Sequence, residues 1–212
     1  MLNFLDFFTA CTGIWKTERI YHSILQGEIE RSYTQYQVTP LADEQKQQML
    51  SSSLGGLKVD TALLQSQEAI CPGFAIAFDT VSETGEQVSM SLKALFIPDA
   101  YAIDETASPL PPLPSAAQIS PTEEVIQGFY LRDEGYSEAG AIKSRFTYLP
   151  SRQTLEMTTY YRNSVAVDQM RMVEPNLRLR TIITYQRPDA NTIPTIIDLV
   201  GFGVERRQPL EI

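Results

Sequence analysis

Arginine supplies most of the binding chemistry that the residue types of this chain suggest. Arg178 and Arg180 are two residues apart in the segment PNLRLRTI, so on a β-strand their side chains point to the same face, roughly 7 Å apart. A planar guanidinium binds a carboxylate through two parallel hydrogen bonds. If this face lines an interior, the pair can hold an anionic ligand; if it faces water, both arginines are ordinary surface residues.

The only histidine and the only tryptophan of the chain lie close together in GIWKTERIYH. Arg19 and His22 have opposite parity on an ideal strand, so both can approach one ligand only at a bulge, a bend or a strand end. A histidine that titrates near neutral pH can move a proton, but a lone histidine can equally be a structural hydrogen-bonding residue. Trp15 is predicted to be a core residue.

Other common site chemistries are not found in the sequence. Cys11 and Cys71 are 60 positions apart and do not form a disulfide framework. There is no zinc-ligand spacing, phosphate-binding glycine loop or serine-nucleophile motif. We therefore expect no metal site and no nucleotide cofactor.

Charge and hydropathy limit the kinds of partner. The formal net charge is −9, which argues against nucleic acid, because phosphate binding needs a basic surface. No apolar run has the length of a membrane-spanning helix, and the N-terminus lacks the pattern of a signal peptide. We expect a reducing, cytosol-like compartment.

The elements that must position these residues are predicted to be mainly strands. A short apolar helix is expected at the N-terminus, ended by Gly13, and a second short helix over residues 41–50. Short strands separated by turn residues are typical of an antiparallel sandwich or barrel, and a closed barrel leaves no exposed edge. The predicted fold class is all-β, a closed antiparallel barrel of eight to ten strands. The predicted strands are 15–40 with a turn at 26–28, then 73–78, 87–97, 125–131, 141–149, 154–161, 167–173, 177–185 and 195–206.

A proline-rich segment interrupts this pattern. Residues 98–124 contain six prolines and five acidic residues, with no lysine or arginine. Because proline does not serve a sheet interior, we predict a mobile excursion. Neither flank makes a convincing core alone, so residues 1–212 are expected to form a single domain with 98–124 as a flexible insertion.

Several motifs resemble those of a known family. A Gly-x-Trp after a short helix resembles the start of lipocalin-type barrels. The resemblance implies that the helix and Trp15 close one end of the barrel, and that an arginine from a late strand packs on the indole ring. Most of the chain, apart from the insertion and the tail, resembles the S-type phycobiliprotein lyases (the CpcS/CpeS family). The matching features are a phenylalanine pair at Phe7–Phe8, Gly13-x-Trp15, Arg19 and His22 three apart, and PNLRLRT at 175–181.

This resemblance implies a lipocalin-like barrel that binds a linear tetrapyrrole (a phycobilin) and attaches it by a thioether bond to a cysteine of a phycobiliprotein subunit. It implies that Arg19, and Arg178 or Arg180, bind the propionates of the bilin. It also implies that His22 orients the bilin or assists proton movement at a pyrrole nitrogen.

Other positions depart from the family pattern. Members often carry tryptophans in the middle strands, where this chain offers phenylalanines such as Phe78; we expect Phe78 and Tyr160 among the aromatic contacts of the bilin. Many members place an acid just before the tyrosine of the TLEMTTY strand, where this chain has Thr159. Glu156 and Asp168 are the nearest acidic substitutes and are expected to handle protons.

The resemblance also implies partners and a setting. The substrate would be phycocyanobilin or phycoerythrobilin, with no permanently bound cofactor, and the acceptor an apo-phycobiliprotein subunit. The lyase would act alone, as a homodimer, or as a heterodimer with a sister lyase subunit, without nucleic acid or a membrane span. The compartment would be the cyanobacterial cytosol, or the plastid stroma if the chain is algal. Two other classes stay open: a non-catalytic lipocalin-like carrier of a bilin or similar anionic apolar ligand, including a non-catalytic subunit of a heteromeric lyase, and a structural assembly partner with a filled barrel.

Overall fold

Ten antiparallel strands form a closed barrel in the computed structural model, which describes residues 1–51, 57–60, 71–103, 111–119, 124–135, 140–189 and 192–209. The strands are β1 (Gly13–Ser23), β2 (Glu28–Pro40), β3 (Gly73–Ser82), β4 (Gln87–Pro98), β5 (Ile126–Arg132), β6 (Ile142–Leu149), β7 (Thr154–Tyr160), β8 (Ser164–Glu174), β9 (Leu177–Gln186) and β10 (Ile197–Arg207). Each strand pairs with its sequence neighbours, and β1 pairs with β10 to close the barrel. The predicted all-β antiparallel barrel is confirmed.

Strict alternation of side chains separates the barrel interior from its outer surface. On β2, Ser32, Thr34, Tyr36 and Val38 are buried, while the residues between them are exposed. This period of two is the geometry of a pleated strand with one buried face. Parity along each strand therefore decides which residues can face an interior ligand.

Helix α1 (Phe4–Cys11) closes one end of the barrel. The Asn3 side chain accepts a hydrogen bond from the backbone N–H of Asp6 at 2.8 Å, which caps the helix N-terminus. Trp15 is fully buried, and its Nε1–H donates to the carbonyl of Cys11 at 3.0 Å. The prediction that Trp15 closes one end is confirmed. The apolar layer at this end includes Phe4, Phe7, Phe8, Phe74, Phe96, Phe146 and Tyr148.

Helix α2 (Asp43–Ser51) lies on the outside of the barrel. Met49 packs with Leu41, and with Leu95 and Ile97 on the outer face of β4, in a second apolar cluster. Within the ranges described above, no helix is long and apolar enough to cross a membrane.

The described parts of the insertion contact the barrel. Arg145 donates two hydrogen bonds to the carboxylate of Asp99, at 2.7 and 2.6 Å. Residues 111–119, here called the covering segment, bury Ala117 against the outer surface. Residues 104–110 and 120–123, where part of the predicted mobile excursion falls, lie outside the described residues. The single-domain assignment stays a prediction.

Candidate functional site

A cavity of about 560 Å³ occupies the barrel interior. This volume is within the range of about 300–1,000 Å³ that is usual for small-molecule sites. The lining reaches Val88, Tyr161 and Ser164, at the strand ends farthest from α1, and Val88 is 47% exposed. The cavity therefore opens at the end opposite α1. Its charged lining residues are Arg19, Arg132, Asp168 and Arg180.

Arg19 and Arg180 present guanidiniums to this cavity from β1 and β9. Arg180 Nε donates to Asp168 Oδ1 at 2.6 Å, and its Nη2 donates to the second carboxylate oxygen. Arg19 Nη2 donates to Glu205 Oε1 at 3.3 Å. The Nε of Arg19 is buried and has no hydrogen-bond partner in the part of the chain that the structure describes. Because a buried donor without an acceptor is unfavourable, this atom suits a carboxylate that enters the cavity.

Glu205 holds the arginines together beneath the cavity. Its fully buried carboxylate accepts from Arg178 at 3.0 Å through Oε2, while Oε1 lies 3.3 Å from Arg19 and 3.9 Å from Arg180. Burial alone would raise the pKa of Glu205, but the positive charges, that of Arg178 first, outweigh burial and lower it. Three guanidiniums against the two carboxylates of Glu205 and Asp168 leave one net positive charge, which suits one ligand carboxylate.

Arg178 lies beneath the cavity, where it cannot contact a ligand in the interior. It is 1% exposed and is not part of the cavity lining. Its guanidinium stacks on the Trp15 ring, 3.8 Å from the centroid, and donates to Glu205 and to the Tyr36 hydroxyl. All of these contacts lie within the closed end of the barrel, so Arg178 has a structural role there. The late arginine of lipocalin-type barrels has the same role.

Two glycines of β10 make room for the inward side chains of β1. Gly203 pairs with Arg19, and Gly201 pairs with Tyr21. A Cβ at Gly201 would lie 2.7 Å from the Tyr21 ring, and one at Gly203 would lie 3.1 Å from the Arg19 side chain. Larger residues here would displace Arg19 and Tyr21 from their present positions.

Aromatic side chains form much of the remaining lining. Phe78 lines the cavity, where it was expected, together with Tyr21, Tyr130 and Tyr161. Arg132 is 2% exposed; its Nη2 donates to the Tyr161 hydroxyl at 2.7 Å, and its guanidinium lies 5.5 Å from the Tyr130 ring centroid. Strand β5 is five strands from β10 in either direction around the barrel, so Arg132 stands on the wall opposite Glu205.

His22 lies on the outer face of β1 and does not line the cavity. Its ring contacts that of Phe202, with centroids 6.2 Å apart, and Phe202 is an exposed residue of the outer surface. Strand β1 continues without a bulge in its pairing with β2 and β10, so Arg19 and His22 keep opposite faces. The structure does not bring the two together at one ligand.

Glu156 and Tyr160 also face outwards, under the covering segment. The Tyr160 hydroxyl donates to the carbonyls of Pro111 and Pro112, at 3.1 Å to each. Gln169 Nε2 donates to Glu156 Oε2 at 3.1 Å and to the Ala116 carbonyl at 2.9 Å. Neither Glu156 nor Tyr160 lines the cavity, contrary to the expectation that both act on the ligand.

Burial beneath the covering segment raises the pKa of Glu156 to about 7, although the hydrogen bond from Gln169 opposes the shift. The folded chain thus holds this proton more tightly than the unfolded chain, whose carboxyl has a pKa of 4.5. Ionised Glu156 therefore destabilises the fold. The loss in the free energy of unfolding grows as the pH rises from 4.5, the pKa in the unfolded chain, towards about 7, the pKa in the folded chain.

Replacing Glu156 by glutamine is expected to stabilise the protein at high pH. Since one pKa unit corresponds to about 1.4 kcal/mol, the rise from 4.5 to about 7 corresponds to about 3 kcal/mol. We therefore expect the free energy of unfolding to rise by about 3 kcal/mol at about pH 8. Near about pH 4 the change should be small, because the carboxyl is protonated in both states. Urea unfolding across this pH range measures the difference. Glu174→Gln, an exposed position at the end of β8, is the control; an equal gain at both pH values would contradict the burial argument.

The cysteines do not have the properties of activated nucleophiles. Burial raises the pKa of Cys11, and it raises the pKa of Cys71 to about 12, whereas reactive thiols have lowered values. Across the residues that the structure describes, no group of three or more His, Cys, Asp and Glu side chains is placed to hold a metal ion.

Sequence reasoning missed Glu205, which lies beneath the cavity, and Arg132, which lines the opposite wall. Glu205 lies in GFGVERRQ, where the two following arginines suggest an exposed charged end. Arg132 ends a strand whose last five residues are all buried. An arginine at the end of an apolar strand was the one signal available for Arg132.

The fold and the cavity define a lipocalin-like barrel whose interior cavity is lined by arginines and aromatic rings. The chain matches the model of a family described as CpeS-like protein over residues 3–107 and 115–208. It is 37% identical to the chromophore lyase CpcS/CpeS 1 of Synechococcus sp. (strain JA-3-3Ab) over 205 residues, 96% of each chain. The chain belongs to the CpeS-like family.

A solved structure has the same fold. The S-type phycobiliprotein lyase CPES from Guillardia theta superposes with a TM-score of 0.65, covering 99% of this chain and 95% of that chain at 16% identity. At this identity the likeness concerns the fold alone, and it agrees with the predicted lipocalin-like barrel.

Proposed function

We propose that this chain binds a phycobilin inside the barrel and attaches it by a thioether bond to a cysteine of an apo-phycobiliprotein subunit. The observation that carries the proposal is the cavity of about 560 Å³, with Arg19 and Arg180 at its floor and aromatic walls. The relative from Synechococcus, whose name is chromophore lyase, supports the same activity here.

Each part of the cavity matches a part of the bilin. A propionate accepts hydrogen bonds from Arg19 and Arg180, where the cluster has one uncompensated positive charge. The second propionate has a candidate cation in Arg132 on the opposite wall. Phe78 and Tyr130 contact the conjugated face, because aromatic rings stack on such surfaces.

Asp168 is the acid of this proposal, because it is the one of the three expected proton-handling residues that lines the cavity. Its carboxylate, held by Arg180, can accept a hydrogen bond from a pyrrole N–H and so fix the orientation and protonation of the bilin. His22 and Glu156 lie on the outer face of the barrel and take no direct part.

The attachment reaction itself is an addition. The acceptor sulfur forms a bond to a carbon of an exocyclic double bond on ring A, and the thiol proton moves to the neighbouring carbon. Nothing is oxidised and no group leaves, so no resident cofactor is required. The barrel contributes orientation and exclusion of water, which allow addition at one position only.

The substrate is proposed to be phycocyanobilin or phycoerythrobilin, and the compartment the cytosol or the plastid stroma. Co-expression with a bilin-synthesis pathway and each candidate apo-subunit tests the function. We expect covalent chromophore on one subunit after denaturing electrophoresis, and none without this chain. Co-expression with a sister lyase subunit determines whether a heterodimer is required. Bilin that stays on this chain with no adduct in any combination would make it a carrier instead.

A further inference from the structure

The open end of the barrel has an apolar sector. Four large aliphatic side chains lie in the β1–β2 turn and the β9–β10 connection, and each is more than half exposed. Exposed aliphatics that occur singly are ordinary, but a group of them on adjacent loops marks an interaction site. We name this group the apolar rim: Ile24, Leu25, Ile193 and Ile196.

Hydrogen bonds hold the two loops next to each other and next to the cavity mouth. The Ile24 N–H donates to the Asp198 carbonyl, and the Gln186 N–H donates to the Ile196 carbonyl, both at 2.8 Å. The Arg187 guanidinium donates to the carbonyl of Tyr161, a cavity-lining residue, at 2.6 Å. The apolar rim is therefore continuous with the mouth.

A different sector of the same mouth is acidic. The β3–β4 turn carries Glu83 and Glu86, both exposed, and Glu28 at the start of β2 is exposed as well. Glu83 Oε1 accepts from the Arg31 N–H at 3.0 Å, so this turn is attached to β2, the strand that follows the β1–β2 turn. A partner that covers the mouth meets apolar contacts on one side and negative charge on the other.

We propose that the apolar rim is the docking surface for the acceptor subunit, an inference that rests on the proposed function. Bond formation requires the acceptor sulfur to reach a carbon of a ligand held inside the barrel. Because α1 and the aromatic layer close the other end, a folded acceptor reaches the ligand only by covering the mouth. The partner that fits has an apolar surface beside its cysteine and basic residues on the other side, facing Glu83 and Glu86.

A second exposed apolar area is less suited to this step. Tyr33, Val81, Leu179, Phe202 and Val204 line a groove on the outer surface of the barrel. A partner seated there is separated from the cavity by the strands themselves. The groove therefore provides control positions.

The test introduces charge into the apolar rim. We expect Leu25→Glu and Ile196→Glu to raise the KM for the acceptor subunit at least fivefold. The kcat at saturating acceptor and the bilin affinity should stay within about twofold of wild type. The melting temperature should be the same as that of the wild type. Leu25→Met, which keeps an apolar side chain, should retain the wild-type KM.

Two variants of similar exposure serve as matched controls. Leu5→Glu places the charge on α1 at the closed end, and Val204→Glu places it in the outer groove; these residues are 48% and 44% exposed. Both should leave the KM unchanged. An unchanged KM in the rim variants, or an equal rise in either control, overturns the docking surface while transfer by the wild type upholds the function. Absence of transfer by the wild type overturns the proposed function and the docking surface with it.

Discussion

Replacing Arg178 by alanine is expected to destabilise the fold strongly and to leave the ligand-binding chemistry of the cavity in place. The guanidinium is buried between the Trp15 ring and the Glu205 carboxylate. Removing one partner of a buried ion pair costs about 3–5 kcal/mol, because the other charge stays buried without it. Urea unfolding should show a loss of this size in the free energy of unfolding.

A comparison on the neighbouring strand separates this effect from a general loss of arginine. Arg171→Ala, an exposed position on the outer face of β8, should change the free energy of unfolding by less than about 0.5 kcal/mol. The folded fraction of Arg178→Ala should bind bilin within a few-fold of wild type. If Arg178→Ala had normal stability but no longer bound bilin, Arg178 would be a ligand contact and the structural role would be wrong.

Replacing Arg180 by alanine is expected to have the opposite pattern, with the largest effect on bilin affinity. Arg180 lines the cavity and is partly accessible. A charge-assisted hydrogen bond contributes about 1.5–3 kcal/mol, so affinity should fall roughly ten- to hundred-fold. The loss should be at the upper end, because Asp168 would then repel the incoming carboxylate. Absorbance titration of the purified chain with phycocyanobilin measures it.

The bilin dimethyl ester provides the ligand control for this experiment. Esterification removes the negative charge that Arg180 is proposed to bind, so wild type and Arg180→Ala should bind the ester with similar affinity. Arg180→Lys should recover only part of the affinity for the free acid, since lysine lacks the planar fork. An equal loss for acid and ester would mean that Arg180 shapes the cavity without binding a propionate.

The contrast between Arg178 and Arg180 illustrates what strand periodicity can predict. Their spacing correctly placed both side chains on one face, and that face is the interior. Periodicity carries no information on depth along the barrel axis, which depends on pairing with other strands. Register sets Arg178 opposite Glu205, beneath the cavity, and Arg180 opposite Gly203, at the cavity floor.

The expectation that Glu156 on β7 faces the ligand was wrong for a different reason. Alternation of polar and apolar residues identifies the inner face of a strand only where the outer face is exposed to solvent. On β7, five consecutive residues, including Glu156 and Met157, are buried. The covering segment buries the outer face, and the loop residues that do so are distant in sequence. Local pattern therefore could not decide whether Glu156 or Met157 faced the ligand.

His22 was assigned to the site from a family spacing, although strand parity already placed it opposite to Arg19. The uninterrupted pairing of β1 follows the parity. Glu205 had no comparable signal, because its role arises from three arginines that only the closed barrel brings together. The architecture and the family were thus predictable from sequence, whereas the membership of the charge cluster was not.

The central claim is that the bilin is held inside the barrel, and filling the cavity tests it most directly. Ala166 is a small lining residue on β8, so Ala166→Phe occupies space that the ligand needs. The measurement is absorbance titration with phycocyanobilin, with Ala77→Phe on the exposed outer face of β3 as the size-matched control. We expect Ala166→Phe to lose at least tenfold in affinity while Ala77→Phe and the wild type bind alike. Undiminished binding by a folded Ala166→Phe protein would contradict an interior site.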